Sequence, residues 1–317
     1  MRAVRYHEHG GPEVLTVDDV DRPEPGGHEL LVRVAAAGVN PVDTYFREGS
    51  YEPYELPMTP GSDFAGVVEG AGDWTPGFEA GDRVFGTGLG RDHQGTYAEY
   101  VLVPTDRVAH LPENVDFAGG GGAGVAAVTA WRALIDHAEL EPAETCLIHG
   151  GSGGVGHAAV GLAAATGAEV VTTASPDYHD DLRDFGADAV FDYRDEDLEE
   201  AVGEYEPAVI LDHRLDEYLD FDAAVAQQGA RIVGIGNTQP QAGWENVPAA
   251  RAKELRVQLM SMFNTPDLSA RLERIARLME REELAIRVER SYPVEEAGEA
   301  QRAVMNESFL GKLVIEP

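Results

Sequence analysis

A run of glycines between two apolar stretches constrains this chain more than any other feature. Gly151, Gly153 and Gly156 have the spacing G-x-G-x-x-G, after the apolar segment CLIHG and before the alanine-rich segment HAAVGLAAAT. In a strand-turn-helix unit, such glycines allow a tight turn, close approach of the backbone to a pyrophosphate, and close packing of helix on strand. The first backbone amides of the helix donate hydrogen bonds to the negatively charged pyrophosphate in such a unit. We therefore favour a dinucleotide site over an ordinary turn, with these pyrophosphate contacts: Gly151, Ser152, Gly153, Gly154 and Val155.

The pattern around this turn predicts two domains. Before about Asp116, short alternating strands broken by Gly and Pro, such as LLVRVAAAGV and AGVVEGAG, indicate a small β-rich, partly closed domain. After the glycine run at 119–122, six apolar strands from TCLIHG to VQLMSMF alternate with helical segments, and this alternation is typical of a doubly wound parallel sheet. Three helices are predicted around Val155–Thr166, Tyr178–Phe185 and Glu217–Gln227.

The end of the chain returns to the first domain. Apolar residues at 268, 272, 275, 278 and 279 follow a helical period, which predicts a surface helix. The last segment, GKLVIEP, reads as a strand, and a sheet that is already complete with six strands leaves it to the β-rich domain. The predicted domains are 1–117 with 264–317, and 118–263.

The tip of the second predicted strand bears on the choice of cofactor. An NAD enzyme usually places an acid there to accept a hydrogen bond from the ribose 2′-hydroxyl. Here Thr173 and Ser175 flank an alanine, so a 2′-phosphate meets no carboxylate and can take two hydrogen bonds. We therefore expect NADPH rather than NADH. No Lys or Arg adjoins the tip, which leaves Tyr193 and Arg194 as candidate phosphate contacts.

The charge composition excludes some partners. Acidic residues outnumber basic ones by 57 to 24, the formal net charge is -33, and Lys253 and Lys312 are the only lysines. Nucleic acid is therefore not an expected partner. The dispersed acids predict a solvated acidic surface suited to the cytoplasm of a halophilic organism.

No segment has the roughly 18 consecutive apolar residues of a membrane span. The single cysteine, Cys146, is predicted to be a buried inert thiol.

Segments along nearly the whole chain resemble one superfamily. AGVNPVDTYFREGSY, PGSDFAGVVEGAG, GTYAEY, GGSGGVG and GKLVI are similar to segments of the medium-chain dehydrogenase/reductases, and within them of the quinone oxidoreductases related to zeta-crystallin. The resemblance implies an α/β protein with a GroES-like catalytic domain built from both chain ends, a Rossmann NADP-binding domain between them, and an active cleft at their junction. It also implies a homodimer paired through the VQLMSMF strand.

Zinc-binding members of the superfamily carry ligands that this chain lacks. They place Cys where Asn40 stands and Gly-His-Glu where residues 61–63 read Gly-Ser-Asp. Three ligands are generally needed for catalytic zinc, so we expect none. His7 and His9 alternate along a predicted strand and fall where relatives carry ordinary surface side chains. Without a metal, the chemistry favours acceptors that delocalise the incoming charge, such as quinones or conjugated carbonyls.

The resemblance also implies particular site residues. Asn40, Tyr45 and Tyr51 match positions that line the cleft beside the nicotinamide, where a tyrosine can relay a proton or simply pack. Asp43 is expected to tie down its loop rather than to act in catalysis. Further implied cofactor neighbours are Gly234, Gly236, Asn237, Phe263 and Lys312. Lys312 matches a phosphate-contacting position, with a surface lysine as the alternative.

The predicted function is that of an NADPH-dependent quinone reductase. A reductase of enones or alkenals using the same cofactor is the enzymatic alternative, and an RNA-binding or structural protein is the non-enzymatic one, against which the charge argues. The segment DHRLDEYLDFD, from Asp212, supplies charge where relatives carry smaller, more apolar residues. Detailed substrate preference therefore does not transfer to this chain.

Overall fold

The computed structural model describes residues 1–51 and 55–317 and divides them into two compact units. Unit 1 comprises Met1–Val128, Pro266–Glu282 and Ile286–Pro317. Unit 2 comprises Thr129–Thr265 and Glu283–Ala285. The chain thus starts and ends in the same unit.

The elements follow one another as short strands first and a strand-helix alternation later. The strands are β1 (Arg2–Tyr6), β2 (Leu15–Asp19), β3 (Glu29–Val39), β4 (Phe64–Ala71), β5 (Arg83–Gly86), β6 (Tyr100–Pro104), β7 (Val108–His110), β8 (Thr145–Ile148), β9 (Glu169–Thr173), β10 (Ala189–Phe191), β11 (Val209–Asp212), β12 (Arg231–Gly234), β13 (Arg256–Leu259), β14 (Val288–Pro293) and β15 (Lys312–Glu316). The α-helices are α1 (Pro41–Glu48), α2 (Phe117–Trp131), α3 (Gly154–Thr166), α4 (His179–Asp184), α5 (Leu198–Gly203), α6 (Leu215–Val225), α7 (Val247–Ala252), α8 (Leu268–Glu280) and α9 (Ala297–Asn306). Within the described residues, none of the helices is both long and apolar enough to cross a membrane.

The sheet of unit 1 is built around β3, whose eleven residues pair with three neighbours. Its path runs β14-β15-β3-β4-β5-β7, with β6 also paired to β3. The predicted return of the C-terminal strand is confirmed, because β15 pairs antiparallel with β3, with Leu313 opposite Val39. Leu30, Val32 and Leu313 belong to the buried core of this unit. The predicted surface helix is confirmed as α8, which buries Leu272, Ile275 and Met279.

The sheet of unit 2 confirms the predicted doubly wound architecture. Its six parallel strands have the order β10-β9-β8-β11-β12-β13, so the direction of winding reverses between β8 and β11. Central strands of such a sheet are covered on both faces, which is why β8 and β11 are apolar almost throughout. The predicted helices correspond to α3, α4 and α6, whereas α5 and α7 were not predicted.

The glycine run at 119–122 lies inside the helix α2. Glycine costs about 1 kcal/mol in a helix relative to alanine, so the sequence argued against a helix here. Packing explains the choice: a Cβ on Gly121 would lie 2.7 Å from the carbonyl oxygen of Ala36, and one on Gly124 would collide with Asp63. The helix therefore lies against β3 and the start of β4 more closely than alanines would allow.

Candidate functional site

The segment Gly150–Gly156, which we call the glycine turn, joins β8 to α3. Gly150 has a φ of +69°, which L side chains rarely adopt. Its amide donates to the Thr173 hydroxyl over 3.1 Å, and the Gly151 amide donates to the Thr173 carbonyl over 2.8 Å. The turn is thereby fastened to the end of β9. No side chain caps α3, whose N-cap residue is Gly153, so its first amides are presented by bare backbone.

The three fingerprint glycines differ in what requires them. A Cβ on Gly151 would collide with the Thr172 hydroxyl, and one on Gly156 would collide with the Gly150 carbonyl. A Cβ on Gly153 would meet only the Gly150 oxygen, at 3.3 Å, and its φ of -69° suits any residue. Packing within the chain therefore excludes a side chain at Gly151 and Gly156, whereas at Gly153 it opposes one only by a single tight contact. The missing side chain at Gly153 keeps the start of α3 open.

The tip of β9 lies beside the residues that follow β10. Thr173 is buried, and its hydroxyl already accepts from the turn, whereas Ser175 is partly exposed. Arg194 donates two hydrogen bonds to the Asp192 carboxylate, both of 2.9 Å, and its guanidinium lies 5.2 Å from the centre of the Tyr193 ring. These bonds lower the pKa of Asp192. The predicted phosphate contacts thus include an arginine already paired with an acid.

The predicted nicotinamide neighbours after β12 are held in place by α6. Asp216 accepts hydrogen bonds from the amide and hydroxyl of Thr238, over 2.7 and 2.6 Å, and from the amide of Gln239 over 3.0 Å. The Asn237 side chain donates to the Gln239 carbonyl over 3.0 Å. Gly234 ends β12, and a Cβ on Gly236 would lie 2.5 Å from the carbonyl oxygen of His213.

Phe263 lies in a single 3₁₀ turn, Met262–Asn264, that follows β13. All the predicted cofactor residues of unit 2 therefore lie at the carboxyl ends of its strands or in the segments that follow those ends. Their roles stay predictions.

The sequence analysis did not identify His149, a buried titratable residue that directly precedes the glycine turn. His149 lies 2.8 Å from the Asp222 carboxylate and stacks on Tyr218, with ring centres 4.5 Å apart. Burial lowers the pKa of His149 to about 4. Burial, and next the neighbouring Asp222, raise the pKa of Asp212 to about 7. Asp212, Tyr218 and Asp222 belong to the segment DHRLDEYLDFD. Two of the acidic side chains of this segment, Asp212 and Asp222, are therefore buried rather than exposed to solvent.

In unit 1, Asp43 organises the start of α1. Its carboxylate accepts hydrogen bonds from the Asn40 amide over 2.9 Å, the Ser62 hydroxyl over 3.0 Å and the Tyr97 hydroxyl over 3.3 Å. Asn40 and Asp43 form a capping box, which fixes the first turn of α1. Asp43 therefore ties down its segment as expected, but that segment is the helix α1 rather than a loop.

Asn40, Asp43, Asp63 and Lys312 form what we call the carboxyl-lysine cluster. The Asn40 side chain donates to Asp63 over 2.9 Å and accepts from Lys312, whose ammonium also donates to the Val39 carbonyl over 3.2 Å. Lys312 and Asp63 are 3.8 Å apart. The Lys312 side chain is only 4% exposed, so the alternative of a surface lysine is wrong.

The electrostatics of this cluster follow from its burial. Burial, and next the charge of Asp63, raise the pKa of Asp43 to about 7. Burial also raises the pKa of Asp63, against the opposing effect of Lys312, and lowers the pKa of Lys312. A second anchor for Asp63 is the Val125 amide in α2, which donates to it over 2.8 Å. The charge of the lysine ammonium thus opposes the rise in pKa at both buried acids.

The other predicted residues of unit 1 lie at its surface. Tyr45 and Tyr51 are 38% and 51% exposed, and the Tyr51 ring meets Phe46 edge-on at 5.8 Å. His7 and His9 were predicted on a strand, which is wrong because β1 ends at Tyr6. His7 contacts Asp18 over 2.8 Å, and His9 contacts a backbone carbonyl over 3.2 Å.

Comparisons with known proteins agree with this architecture. Residues 26–113 match the alcohol dehydrogenase GroES-like domain, and residues 185–315 match the zinc-binding dehydrogenase family. Human quinone oxidoreductase is 41% identical over 244 residues, which cover 75% of this chain and 73% of the human protein.

Two solved structures superimpose along the whole chain, each covering 100% of both partners. An NAD-dependent alcohol dehydrogenase has a TM-score of 0.92 at 30% identity. The Escherichia coli quinone oxidoreductase complexed with NADPH has a TM-score of 0.88 at 27% identity.

The chain combines a GroES-like sheet with a doubly wound sheet, and the glycine turn follows β8, the first strand of the doubly wound sheet. Together with the similarity to quinone oxidoreductases, this combination defines an oxidoreductase. The chain belongs to the medium-chain dehydrogenase/reductase superfamily, where it groups with the quinone oxidoreductases. The predicted fold class and the prediction of an enzyme are both confirmed.

The second family description implies zinc, and the residues present do not fit it. Residues 1–51 and 55–317 contain no group of three or more His, Cys, Asp or Glu side chains placed to hold a metal ion. The resemblance puts Asn40 and Ser62 at ligand positions, and neither an amide nor a hydroxyl is among the usual ligands of zinc. The Lys312 ammonium, bonded to Asn40, adds a positive charge that a second cation would have to face.

Proposed function

We propose that this protein is an NADPH-dependent oxidoreductase that transfers a hydride to a quinone without zinc. One observation carries the cofactor part of the proposal: Gly153 has no side chain, although a Cβ there would make only one tight contact, at 3.3 Å, and its φ of -69° suits any residue. A pyrophosphate approaching the first amides of α3 supplies the missing reason, since a side chain would stand in its path.

The chain offers contacts for each part of the cofactor. Amides of the glycine turn would hold the pyrophosphate, with residues 118–263 as the cofactor domain. Ser175, Tyr193 and Arg194 would hold the 2′-phosphate, and the absence of an acid at Thr173–Ser175 favours NADPH over NADH. When bound, NADPH supplies the hydride. The complex of the Escherichia coli relative with NADPH supports this choice, while the similarity to an NAD-dependent alcohol dehydrogenase makes it worth testing.

The catalytic domain, residues 1–117 and 264–317, would position the acceptor. The Asn40 amide is held by Asp63 and Lys312, so it cannot rotate freely, and such a fixed group suits the orientation of a ring or carboxamide. The exposed hydroxyls of Tyr45 and Tyr51 are the candidates for proton transfer to a reduced oxygen. Without a metal to stabilise an isolated alkoxide, a conjugated acceptor is the better substrate. Enones and alkenals share that property and form the alternative substrate class.

Substitution of Gly153 tests the cofactor site. We expect NADPH to quench the fluorescence of the wild-type protein and Gly153→Glu to abolish that quench, because bulk and negative charge would stand before the amides. Gly153→Ala is the matched control, since its methyl group would meet only the Gly150 oxygen, at 3.3 Å, and a small shift relieves that contact, so its melting temperature should stay close to that of the wild type. Normal NADPH binding by Gly153→Glu would show that the site lies elsewhere.

Steady-state assays at high salt test the acceptor. A quinone and an α,β-unsaturated ketone, each with NADPH and with NADH, give four kcat/KM values. The proposal expects the highest value for quinone with NADPH. A higher value for the ketone would move the protein to the alternative class, and activity with neither acceptor would reject both.

The exposed edge of unit 2 supports a homodimer. All four residues of β13 are exposed, including Leu259 at 65%, and this strand ends the sheet of unit 2. An exposed apolar edge strand is a template for pairing with a second copy. Leu259→Glu should therefore yield a smaller particle by light scattering.

The net charge of -33 fits a protein of a halophilic cytoplasm that has no nucleic-acid partner.

A further inference from the structure

One side chain lies at the point where the strand order of unit 2 reverses. From β8 the chain winds through β9 and β10 to one side, whereas β11, β12 and β13 extend to the other. In a doubly wound sheet, the carboxyl ends of the two strands at the reversal form the crevice in which ligands bind. The glycine turn leaves β8 at this point, and His213 is the first residue after β11.

The His213 imidazole packs against the glycine turn. A Cβ on Gly150 would lie 2.8 Å from the Cε1 atom of the ring and 3.2 and 3.3 Å from its two nitrogens. The carbonyl of the same histidine lies against Gly236, two residues beyond the end of β12. His213 is nevertheless exposed to solvent. The residue therefore borders both the turn and the crevice.

The protonation state of His213 fixes what it can bind. Its pKa is lowered by the protein around most of the ring and then by His149, so the ring is neutral at pH 7 although one edge reaches solvent. A hydrogen bond to the backbone of His149 acts in the opposite direction, as expected when a ring N–H donates to a carbonyl. In a neutral imidazole, one nitrogen donates and the other accepts. The second nitrogen of His213 is therefore an acceptor.

We infer that His213 is a further cofactor-binding residue, which accepts a hydrogen bond from a hydroxyl of the nicotinamide ribose. The inference rests on the proposed binding of NADPH at the glycine turn. With the 2′-phosphate half of the cofactor at the tip of β9, the other half crosses towards β11 and β12, where His213 stands. An acceptor recognises a hydroxyl, whereas the pyrophosphate oxygens have no proton to donate. The inference thereby gives a cofactor-binding role to His213, the second residue of the segment DHRLDEYLDFD.

Two variants and three ligands test this assignment. His213→Phe keeps a ring against Gly150 but removes the acceptor, and His213→Gln keeps an acceptor oxygen. Calorimetric titration would use NADPH, 2′-phospho-ADP-ribose, which lacks the nicotinamide, and 2′,5′-ADP, which lacks the second ribose. We expect His213→Phe to weaken the first two ligands by about five- to tenfold, the usual effect of one lost hydrogen bond, and to leave 2′,5′-ADP unchanged. His213→Gln should recover most of the loss.

The other outcomes separate the two proposals. Unchanged binding of all ligands by His213→Phe overturns the assignment alone, because the wild type still binds the cofactor. A parallel loss of all three ligands also overturns it, by showing that His213 only shapes the turn. A loss confined to NADPH would move the contact to the nicotinamide and reject the ribose. If the wild type binds none of the three ligands, the proposed function fails and His213 fails with it.

Discussion

The glycine turn of unit 2 presents backbone amides without side chains, whereas the carboxyl-lysine cluster of unit 1 encloses charged side chains and satisfies them internally. In the turn, Gly153 lacks a side chain although a Cβ there would make only one tight contact within the chain, at 3.3 Å. In the cluster, Asn40, Asp63 and Lys312 hold one another, and each is at most 3% exposed. Folding therefore leaves the turn ready for a ligand and the cluster ready as a support. The two regions should respond differently to substitution.

The largest effect is expected at Lys312. Lys312→Met would leave the Asp63 carboxylate buried without its cation and the Asn40 oxygen without its donor. Removal of one partner of a buried pair usually costs about 3–5 kcal/mol. Urea unfolding at pH 7 would measure the loss in the free energy of unfolding.

A double variant serves as the control for Lys312. Lys312→Met with Asp63→Asn removes both charges, so it should be more stable than Lys312→Met alone. If the single variant is as stable as the wild type, the cluster does not hold a charged pair.

An intermediate effect is expected within the turn, where two glycines should behave in opposite ways. The Cβ of Gly156→Ala would collide with the Gly150 carbonyl oxygen, whereas that of Gly153→Ala would meet the same oxygen at 3.3 Å, a tight contact that a shift of a few tenths of an ångström relieves. Forcing an extra methyl group into a packed site typically costs about 1–3 kcal/mol. Thermal unfolding should show Gly156→Ala clearly destabilised and Gly153→Ala close to the wild type. Equal melting temperatures for the two variants would remove the distinction on which the cofactor site rests.

The same two regions differ in how far the sequence predicted them. The glycine turn is contiguous, so spacing and flanking periodicity were enough to place it after β8 and before α3. The cluster joins residues 40, 43, 63 and 312, and no local pattern connects positions so far apart. The resemblance supplied Asn40 and Lys312 individually, but their mutual hydrogen bond depends on β15 pairing with β3.

The remaining misses have similar causes. The glycines of α2 contradicted helix propensity because tertiary packing decided their identity. The His149 and Asp222 contact spans 73 positions and the charges of its segment suggested a surface, so nothing local indicated a buried pair. Residues that meet through the fold, rather than along the chain, are the ones that the sequence alone concealed.

At pH 7 the smallest effect on stability is expected at Asp43, whose contribution lies in the pH dependence of stability. Because its pKa is raised to about 7, the folded protein keeps a proton that the unfolded chain releases near pH 4. The contribution of Asp43 is therefore favourable below about pH 4 and is lost as the pH rises to 7. Asp43→Asn keeps an acceptor for the Asn40 amide and the Tyr97 hydroxyl, while its NH₂ group can donate to Ser62 after the hydroxyl rotates.

Asp43→Asn should change the slope of the free energy of unfolding against pH, rather than its value at one pH. Between pH 4 and 7, the free energy of unfolding should fall less steeply with pH in Asp43→Asn than in the wild type, by up to about 1.4 kcal/mol per pH unit. Chemical unfolding at several pH values in constant salt measures both slopes. Parallel slopes would mean that Asp43 is ionised throughout this range, in which case Lys312 offsets both acids and the cluster carries a net negative charge. A smaller slope in the variant would instead show that the cluster binds a proton at Asp43, with Lys312 and Asp63 as its charged pair.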